Sequence, residues 1–198
     1  MKEFWNERYT EEELAYGEAP NVFFAEELAK IDTTGKILLP MEGQGRNAVY
    51  AAKLGWEVVA FDYSEEAKKS ALLLADKHGV SIEYHISTME DFTPGKEEFD
   101  AVAMIYAHLP LEIRKENHQK LIQSLKPGGT LIIEGFEKKQ LNYNSGGPKN
   151  EAMLYSTEML ADDFKAIEVC SCEEKTVELH EGKYHVGTAA VARFVGKK

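Results

Sequence analysis

The sequence predicts an α/β fold: a seven-stranded, mostly parallel sheet with helices on both faces and an antiparallel hairpin at one edge. Three observations predict it. From Lys36 to Val195, short β-rich apolar runs alternate with longer segments of helical period, the pattern of a parallel sheet with covering helices. The early runs are apolar almost throughout, as strands covered on both faces require. The last two runs, Ile167 to Cys172 and Thr188 to Val195, are separated by a charged segment with no crossover helix, so they are expected to pair antiparallel at an edge.

In chain order, Val22 to Lys30 reads as a helix in front of the sheet, and Ile37 to Pro40 opens the sheet. Asn47 to Leu54 is the first covering helix and Glu57 to Phe61 the next strand. Ser64 to His78 is a helix with Ser64 as its N-cap. Glu65 and Glu66 lie in its first turn, where the helix dipole favours acids, and Ala67, Ala71 and Leu74 repeat at helical spacing. Ser81 to Ile86 and Ala101 to Ile105 are strands, and Leu111 to Leu125 is a helix ended by Lys126-Pro127-Gly128-Gly129, where proline resists helix and glycine takes the turn into the strand Thr130 to Phe136. The Gly-rich stretch Tyr143 to Asn150 is a loop, and Ser156 to Asp163 a short helix. With no internal repeat or linker, residues 1–198 read as a single domain of Rossmann-like architecture.

Composition narrows the partners. Lys and Arg number 23 against 34 Asp and Glu, a net charge of -11 that repels phosphate backbones and anionic lipid heads, so neither nucleic acid nor a membrane surface is expected as partner. The start lacks the basic and apolar regions of a signal peptide, and no apolar run is long enough to span a bilayer, so the expected location is cytoplasmic. The two cysteines, Cys170 and Cys172, offer too few ligands for a metal site, and none is expected; they are read as two small apolar residues packed in a reducing compartment, against a redox or metalloid-binding pair.

The chemistry gathers where the first strand runs into Glu42-Gly43-Gln44-Gly45-Arg46-Asn47. Glycines there allow a tight turn and close approach of a ligand to the backbone. The next strand ends at Asp62, where a carboxylate can accept hydrogen bonds from both hydroxyls of a ribose; a capping or salt-bridge role beside Ser64 is the alternative. Ala48 stands where a dinucleotide fingerprint tolerates alanine, so a nicotinamide cofactor remains open on this pattern alone.

From Phe4 to Lys198 the sequence resembles the S-adenosylmethionine (SAM)-dependent methyltransferases related to the tellurite-resistance and thiopurine methyltransferases. The resemblance is carried by Trp5-Asn6-Glu7-Arg8-Tyr9 with Tyr16-Gly17, Glu42 to Ala48, Asp62, Met89-Glu90-Asp91-Phe92, His108-Leu109-Pro110, Leu125 to Gly129 and Gly146-Gly147-Pro148-Lys149. It implies the class I methyltransferase fold, SAM as cofactor and methyl transfer to a small molecule, with a thiol or metalloid oxyanion as acceptor. Gly43 and Gly45 would line the methionine and ribose part of SAM, Asp62 would hold the ribose, Tyr63 would stack near the base, and Thr88 with Met89 would sit beside the adenine. Arg46, Asn47 and Ile105 complete the expected cofactor site. The chain departs from its relatives at Leu39, where an acid is usual, and at Met41, where glycine is usual; Thr88 replaces a further acid. Glu42 is then either the partner of the SAM ammonium group or a solvated loop acid.

Methyl transfer asks mainly for positioning, and a general base only if the acceptor arrives protonated. His108, after the fourth strand, is the candidate base; its other reading is an imidazole bonded to backbone at the Leu-Pro turn. His180 and His185 are read as surface histidines. Residues 1–30 are expected to form an amino-terminal lid in which Trp5, Tyr9 and Tyr16 close over the site, or else cap the sheet as an apolar cluster. Arg8, Tyr106, Gly146, Gly147 and Lys149 complete the expected acceptor side, Arg8, Arg46 and Lys149 being equally readable as surface salt bridges. The competing functions are a non-catalytic SAM or nucleotide binder and a nicotinamide-dependent oxidoreductase; the latter lacks the usual Tyr and Lys four residues apart or a substrate domain.

Overall fold

The apolar runs fold as buried parallel strands in a computed structural model that describes residues 2–10 and 14–198. Of the lid expected over residues 1–30, residues 1 and 11–13 lie outside the described residues. Helix α1 spans Lys2–Tyr9 and α2 Val22–Leu28; β1 (Lys36–Pro40), α3 (Arg46–Lys53), β2 (Glu57–Asp62), α4 (Glu65–Lys77) and β3 (Glu83–Ile86) build one half of the sheet. The other half is β4 (Phe99–Ile105), α5 (Leu111–Ser124), β5 (Leu125–Phe136), α6 (Thr157–Asp163), β6 (Glu168–Glu181) and β7 (His185–Lys197).

The seven strands lie in the order β3-β2-β1-β4-β5-β7-β6, with β1 to β5 parallel and β7 antiparallel to both its neighbours. Leu38 stands opposite Val59 of β2 on one side and Val102 of β4 on the other. The chain therefore winds outward from β1 to β3 and returns to β4, and the carboxyl ends of β1 and β4 flank the crevice where such sheets bind ligands.

Successive β1 side chains enter opposite layers, as the strand period requires. Ile37 and Leu39 pack under Phe24, Ala48, Ala71 and Leu74 of α2, α3 and α4, while Leu38 faces the layer of Leu121 and Ile122 on α5, Leu160 on α6 and Phe164 just after it. Leu39, at the position where relatives carry an acid, is fully buried in that apolar layer. Ser64 caps α4 as expected, its Oγ accepting a hydrogen bond from Ala67 N–H at 3.1 Å.

The largest difference from expectation is the edge. The charged segment between the last two runs is itself strand, so β6 and β7 run 14 and 13 residues and turn within three residues, Gly182 to Tyr184. As an outer strand β6 meets water along most of its length, which is why Glu173, Glu174, Lys175 and Glu178 interrupt its pattern. The hairpin tip reaches the amino-terminal segment, where Lys183 N–H donates to Ala15 O at 3.1 Å. The cysteines do not pack as a pair: Cys170 is exposed beside the bulge between Val169 and Ser171, and Cys172 is half-buried with its thiol against Thr157 O.

Candidate active site

A cavity of about 770 Å³ opens at the carboxyl ends of the parallel strands, roofed by α1, the segment 14–21 and the tip of the β6–β7 hairpin. Its floor is laid by the turn after β1. Asp62, buried at the end of β2, accepts hydrogen bonds from Gly43 N–H (3.3 Å) and Ser64 N–H (2.9 Å), so its carboxylate is fixed by backbone on two sides while facing the cavity. Burial raises it to about 6, against the pull of those N–H groups. Gly43, at φ +64, is held from behind by Tyr84, whose hydroxyl donates to its carbonyl, and a Cβ there would stand 2.8 Å from the Tyr9 hydroxyl. That is a close-approach glycine on the cavity floor.

Gly45 is a correction. It does not line the cavity; at φ +86 it starts α3, and a Cβ there would lie 2.6 Å from the Ala71 Cβ, so helix packing demands the glycine. Glu42 is not a solvated loop acid. Its Oε1 accepts from the N–H groups of Asn47 and Ala48, both at 2.9 Å, capping α3 from within the turn, and burial raises it to about 7. It also lines the cavity.

The same turn ties down the roof. Gln44 Oε1 accepts from Ala15 N–H (2.8 Å), Asn47 Oδ1 from Asn21 N–H (2.9 Å), and Arg46 donates to the carbonyls of Tyr16 and Ala19 (both 3.5 Å). Arg46 is buried and paired with Glu181 at 3.0 Å, not a surface salt bridge. Arg46 and Asn47 thus line the cavity while holding the segment 16–21 against it. Ser64 Oγ donates to Asn6 Oδ1, fixing α1 to the start of α4. Trp5, Tyr9 and Tyr16 pack around Ala15 and Ala67 and line the cavity. Arg8 lies over the Tyr184 ring at 3.9 Å and donates to the Tyr16 hydroxyl at 3.4 Å, committed to the roof rather than to a surface acid.

Tyr63, Thr88 and Met89, at the ends of β2 and β3, line the cavity on the side away from the hairpin, and Ile105 lines it at the end of β4. At the hairpin end the walls are aromatic: His185 sits 4.4 Å from the Tyr16 ring, 4.5 Å from Tyr106 and 5.2 Å from Phe136. Gly146 and Gly147, at φ +128 and +84, close this end because a Cβ would come within 2.7 Å of His185 Cδ2 or Phe136 Cδ2 respectively. Lys149 is exposed at the rim with its ammonium toward Tyr143 O. Met41 and Tyr106, both non-glycine residues at φ +54 and +53, follow β1 and β4 and line the cavity, so left-handed backbone strain is concentrated at the crevice.

His108 does not fit its expected role as base. Its Nδ1 stands 2.9 Å from Met153 O and its Nε2 accepts from Phe136 N–H at 3.1 Å, which leaves no lone pair for an acceptor's proton. Burial, the main cause, lowers it to about 4. It splints β5 to the 3₁₀ turn Glu151–Met153. The residue that sequence reasoning missed is His185, buried beside Glu181 and lining the cavity instead of lying on the surface; His180 is exposed as expected.

Residues 38–129 match a family model described as a methyltransferase domain. A curated alcohol dehydrogenase of Geobacillus stearothermophilus is 34% identical over 92 residues, 46% of this chain and 25% of that protein, so the chain matches about a quarter of that relative's length. Among solved structures, one from work on the conversion of a disulfide bond into a thioacetal group during echinomycin biosynthesis superposes with a TM-score of 0.82 at 17% identity, covering 100% of this chain and 91% of the other. TehB from Haemophilus influenzae gives 0.74 at 17% identity over 100% of this chain and 66% of that one. The 1,6-didemethyltoxoflavin-N1-methyltransferase of Burkholderia thailandensis, solved with S-adenosylhomocysteine bound, gives 0.65 at 18% identity over 88% and 76%. The seven-stranded sheet with its antiparallel edge pair is the class I methyltransferase fold.

Proposed function

We propose that this chain is a class I methyltransferase with SAM as its cofactor and that it methylates a compact, soft nucleophile, a thiol, at the aromatic end of the cavity. The observation that carries the reading is one continuous cavity with a backbone-fixed carboxylate, Asp62, at one end and the Tyr16, Tyr106, Phe136 and His185 rings at the other. The residues suit the cofactor. A volume of about 770 Å³ lies within the rough 300 to 1,000 Å³ range of small-molecule sites, Gly43 leaves the close-approach space on the floor, and the buried Tyr106 hydroxyl has no hydrogen-bond partner among the described residues.

When bound, SAM supplies an electrophilic methyl group on a sulfonium. Asp62 would hold the ribose hydroxyls, Thr88 and Met89 the adenine end, and Glu42 the ammonium group across the turn it caps. The aromatic rings exclude water and present faces that favour a cation. Acceptor choice follows from charge. An oxyanion acceptor needs cations, yet Arg46 is spent on Glu181, Arg8 is stacked in the roof, and Lys149 lies at the exposed rim. A neutral sulfur nucleophile fits walls of this kind, and the relative from the disulfide-to-thioacetal work supports sulfur as the element handled.

Calorimetry with SAM, S-adenosylhomocysteine and NAD, followed by S-adenosylhomocysteine release across thiols, selenium and tellurium oxyanions and small amines, tests the reading. Binding of both SAM forms and turnover with thiols is expected. Binding without turnover on every acceptor would make the chain a non-catalytic binder, and heat from NAD alone would make it an oxidoreductase.

A further inference from the structure

We propose that His185 is the general base that takes the proton from the methyl acceptor, with Glu181 as the residue that positions it. The proposal rests on the methyltransferase reading above and adds the proton's destination. Two histidines line the cavity, and their ring nitrogens are used differently. Both nitrogens of His108 are bonded to backbone. His185 directs Nδ1 at Glu181 Oε2, 3.1 Å away, and Nε2 has no hydrogen bond among the described residues. The Nε2 edge is kept clear by Gly146, where a Cβ would intrude to 3.1 Å of that nitrogen.

Glu181 is itself overdetermined. Arg46 Nη2 donates to its Oε2 at 3.0 Å and Asn21 Nδ2 to its Oε1 at 3.0 Å, while Asn21 also donates to Glu134. Burial alone would raise this carboxyl, but His185 and Arg46 bring it down to about 2, so it is ionised and holds the imidazole proton on Nδ1. That leaves the Nε2 lone pair facing the cavity. Burial lowers His185 in spite of Glu181, so the ring is neutral near pH 7 and ready to accept a proton. The charged and titratable groups around it are Glu181 on its own hairpin, Arg46 from α3, Arg8 and Tyr16 from the roof, and Tyr106 and His108 after β4. The tight turn Glu181-Gly182-Lys183-Tyr184-His185 is what brings the pair together at the hairpin tip.

The step balances. As a lone pair of the acceptor sulfur forms the bond to the methyl carbon, the bond from that carbon to the sulfonium breaks with its electron pair going to the sulfonium sulfur, and the thiol proton moves to His185 Nε2. The products are a thioether, S-adenosylhomocysteine and an imidazolium paired with Glu181, which returns the proton to water.

The test compares the parent chain with His185→Gln and Glu181→Gln. Turnover is measured against a series of thiols of falling pKa, SAM affinity by calorimetry, and the His185 ring nitrogens by ¹⁵N NMR on the cofactor-free protein. His185→Gln should lose on the order of 100-fold or more in turnover with thiols that are protonated at the assay pH, lose far less with thiols already ionised, and keep SAM affinity within about threefold. In Glu181→Gln the acid limb of the pH profile should move to lower pH as the carboxylate's support of the imidazolium is lost. The parent spectrum should show the proton on Nδ1. Equal loss across all thiols, loss under about threefold, or a proton on Nε2 would overturn the proposal, whereas failure of the parent to bind SAM would overturn the methyltransferase reading and leave the NMR result to judge the pair.

Discussion

Asp62 Oδ2 lies 3.3 Å from the Gly43 amide, so the ends of β1 and β2 are tied by a single carboxylate that also faces the cavity. If the proposed ribose contact is right, a group with both positions should show both roles when removed. Asp62→Ala is expected to weaken SAM binding tenfold or more, since a charged hydrogen bond to a diol contributes roughly 1.5 to 3 kcal/mol. Asp62→Asn keeps the shape and one acceptor oxygen and should lose less. Calorimetry on folded variants decides: parent-like binding by Asp62→Ala would remove Asp62 from the ribose site.

Affinity should also depend on pH with a definite sign. Burial raises Glu42 to about 7 and Asp62 to about 6, so the free site holds protons near neutrality. A cationic ligand favours the ionised carboxylates and returns both pKa values toward the ordinary range. Binding therefore releases protons, and the affinity present above pH 7 is lost as pH falls through 7 and then 6, by up to about tenfold per pH unit for each group. The binding enthalpy at pH 6.5 should vary with the ionisation enthalpy of the buffer, and Glu42→Gln should reduce that variation. An enthalpy independent of buffer would show that neither carboxylate titrates on binding.

Gly45 separates structural glycine from ligand glycine. It takes φ +86 and faces Ala71 across the α3–α4 contact, away from the cavity. Gly45→Ala combines left-handed strain with overpacking against a helix backbone, together about 3 kcal/mol. Urea unfolding should show that loss, while the fraction that remains folded binds SAM with near-parent affinity. A change below about 1 kcal/mol would mean that α4 yields readily.

These contrasts show what the sequence carries. The Gly43 turn, Asp62 and the Ser64 cap were legible because strand end, turn and cap are local and each has its own residue chemistry. The antiparallel pairing of the last two strands was legible too, but their length was not: Glu173, Glu174 and Lys175 break the apolar alternation of a strand that meets water along most of its length, and pairing such as Thr176 with Ala190 is long-range. His185 was missed for the same reason. In sequence it follows Glu181, Lys183 and Tyr184 and looks like surface, and only the folded hairpin brings it against Tyr16 and Tyr106. The Glu and His flanking a Gly-containing turn were the available signal. His108 misled in the opposite direction, because a histidine after a parallel strand sits where ligands bind, while its bonds to Met153 and Phe136 come from residues far along the chain.

Gly146 tests whether acceptor chemistry and cofactor binding occupy separate ends of the cavity. A Cβ at this position would stand 2.7 Å from His185 Cδ2, and φ +128 is a backbone conformation that side chains rarely adopt. Gly146→Ala must therefore shift the loop, the imidazole or both, whereas Asp62, Thr88 and Met89 are untouched. The loop is anchored independently of the glycine by Ser145 Oγ donating to Thr188 O at 2.7 Å and Gln140 Nε2 donating to Ser145 Oγ at 3.0 Å, so the variant should stay folded. Displacing a general base by about 1 Å costs on the order of 100-fold in rate. Turnover with a protonated thiol should fall by that order while SAM affinity stays within about twofold, a change under roughly 0.4 kcal/mol. Measuring both on one preparation settles the matter: equal loss of affinity and turnover would put the loop in the cofactor site, and unchanged turnover would show that the loop moves aside without disturbing His185.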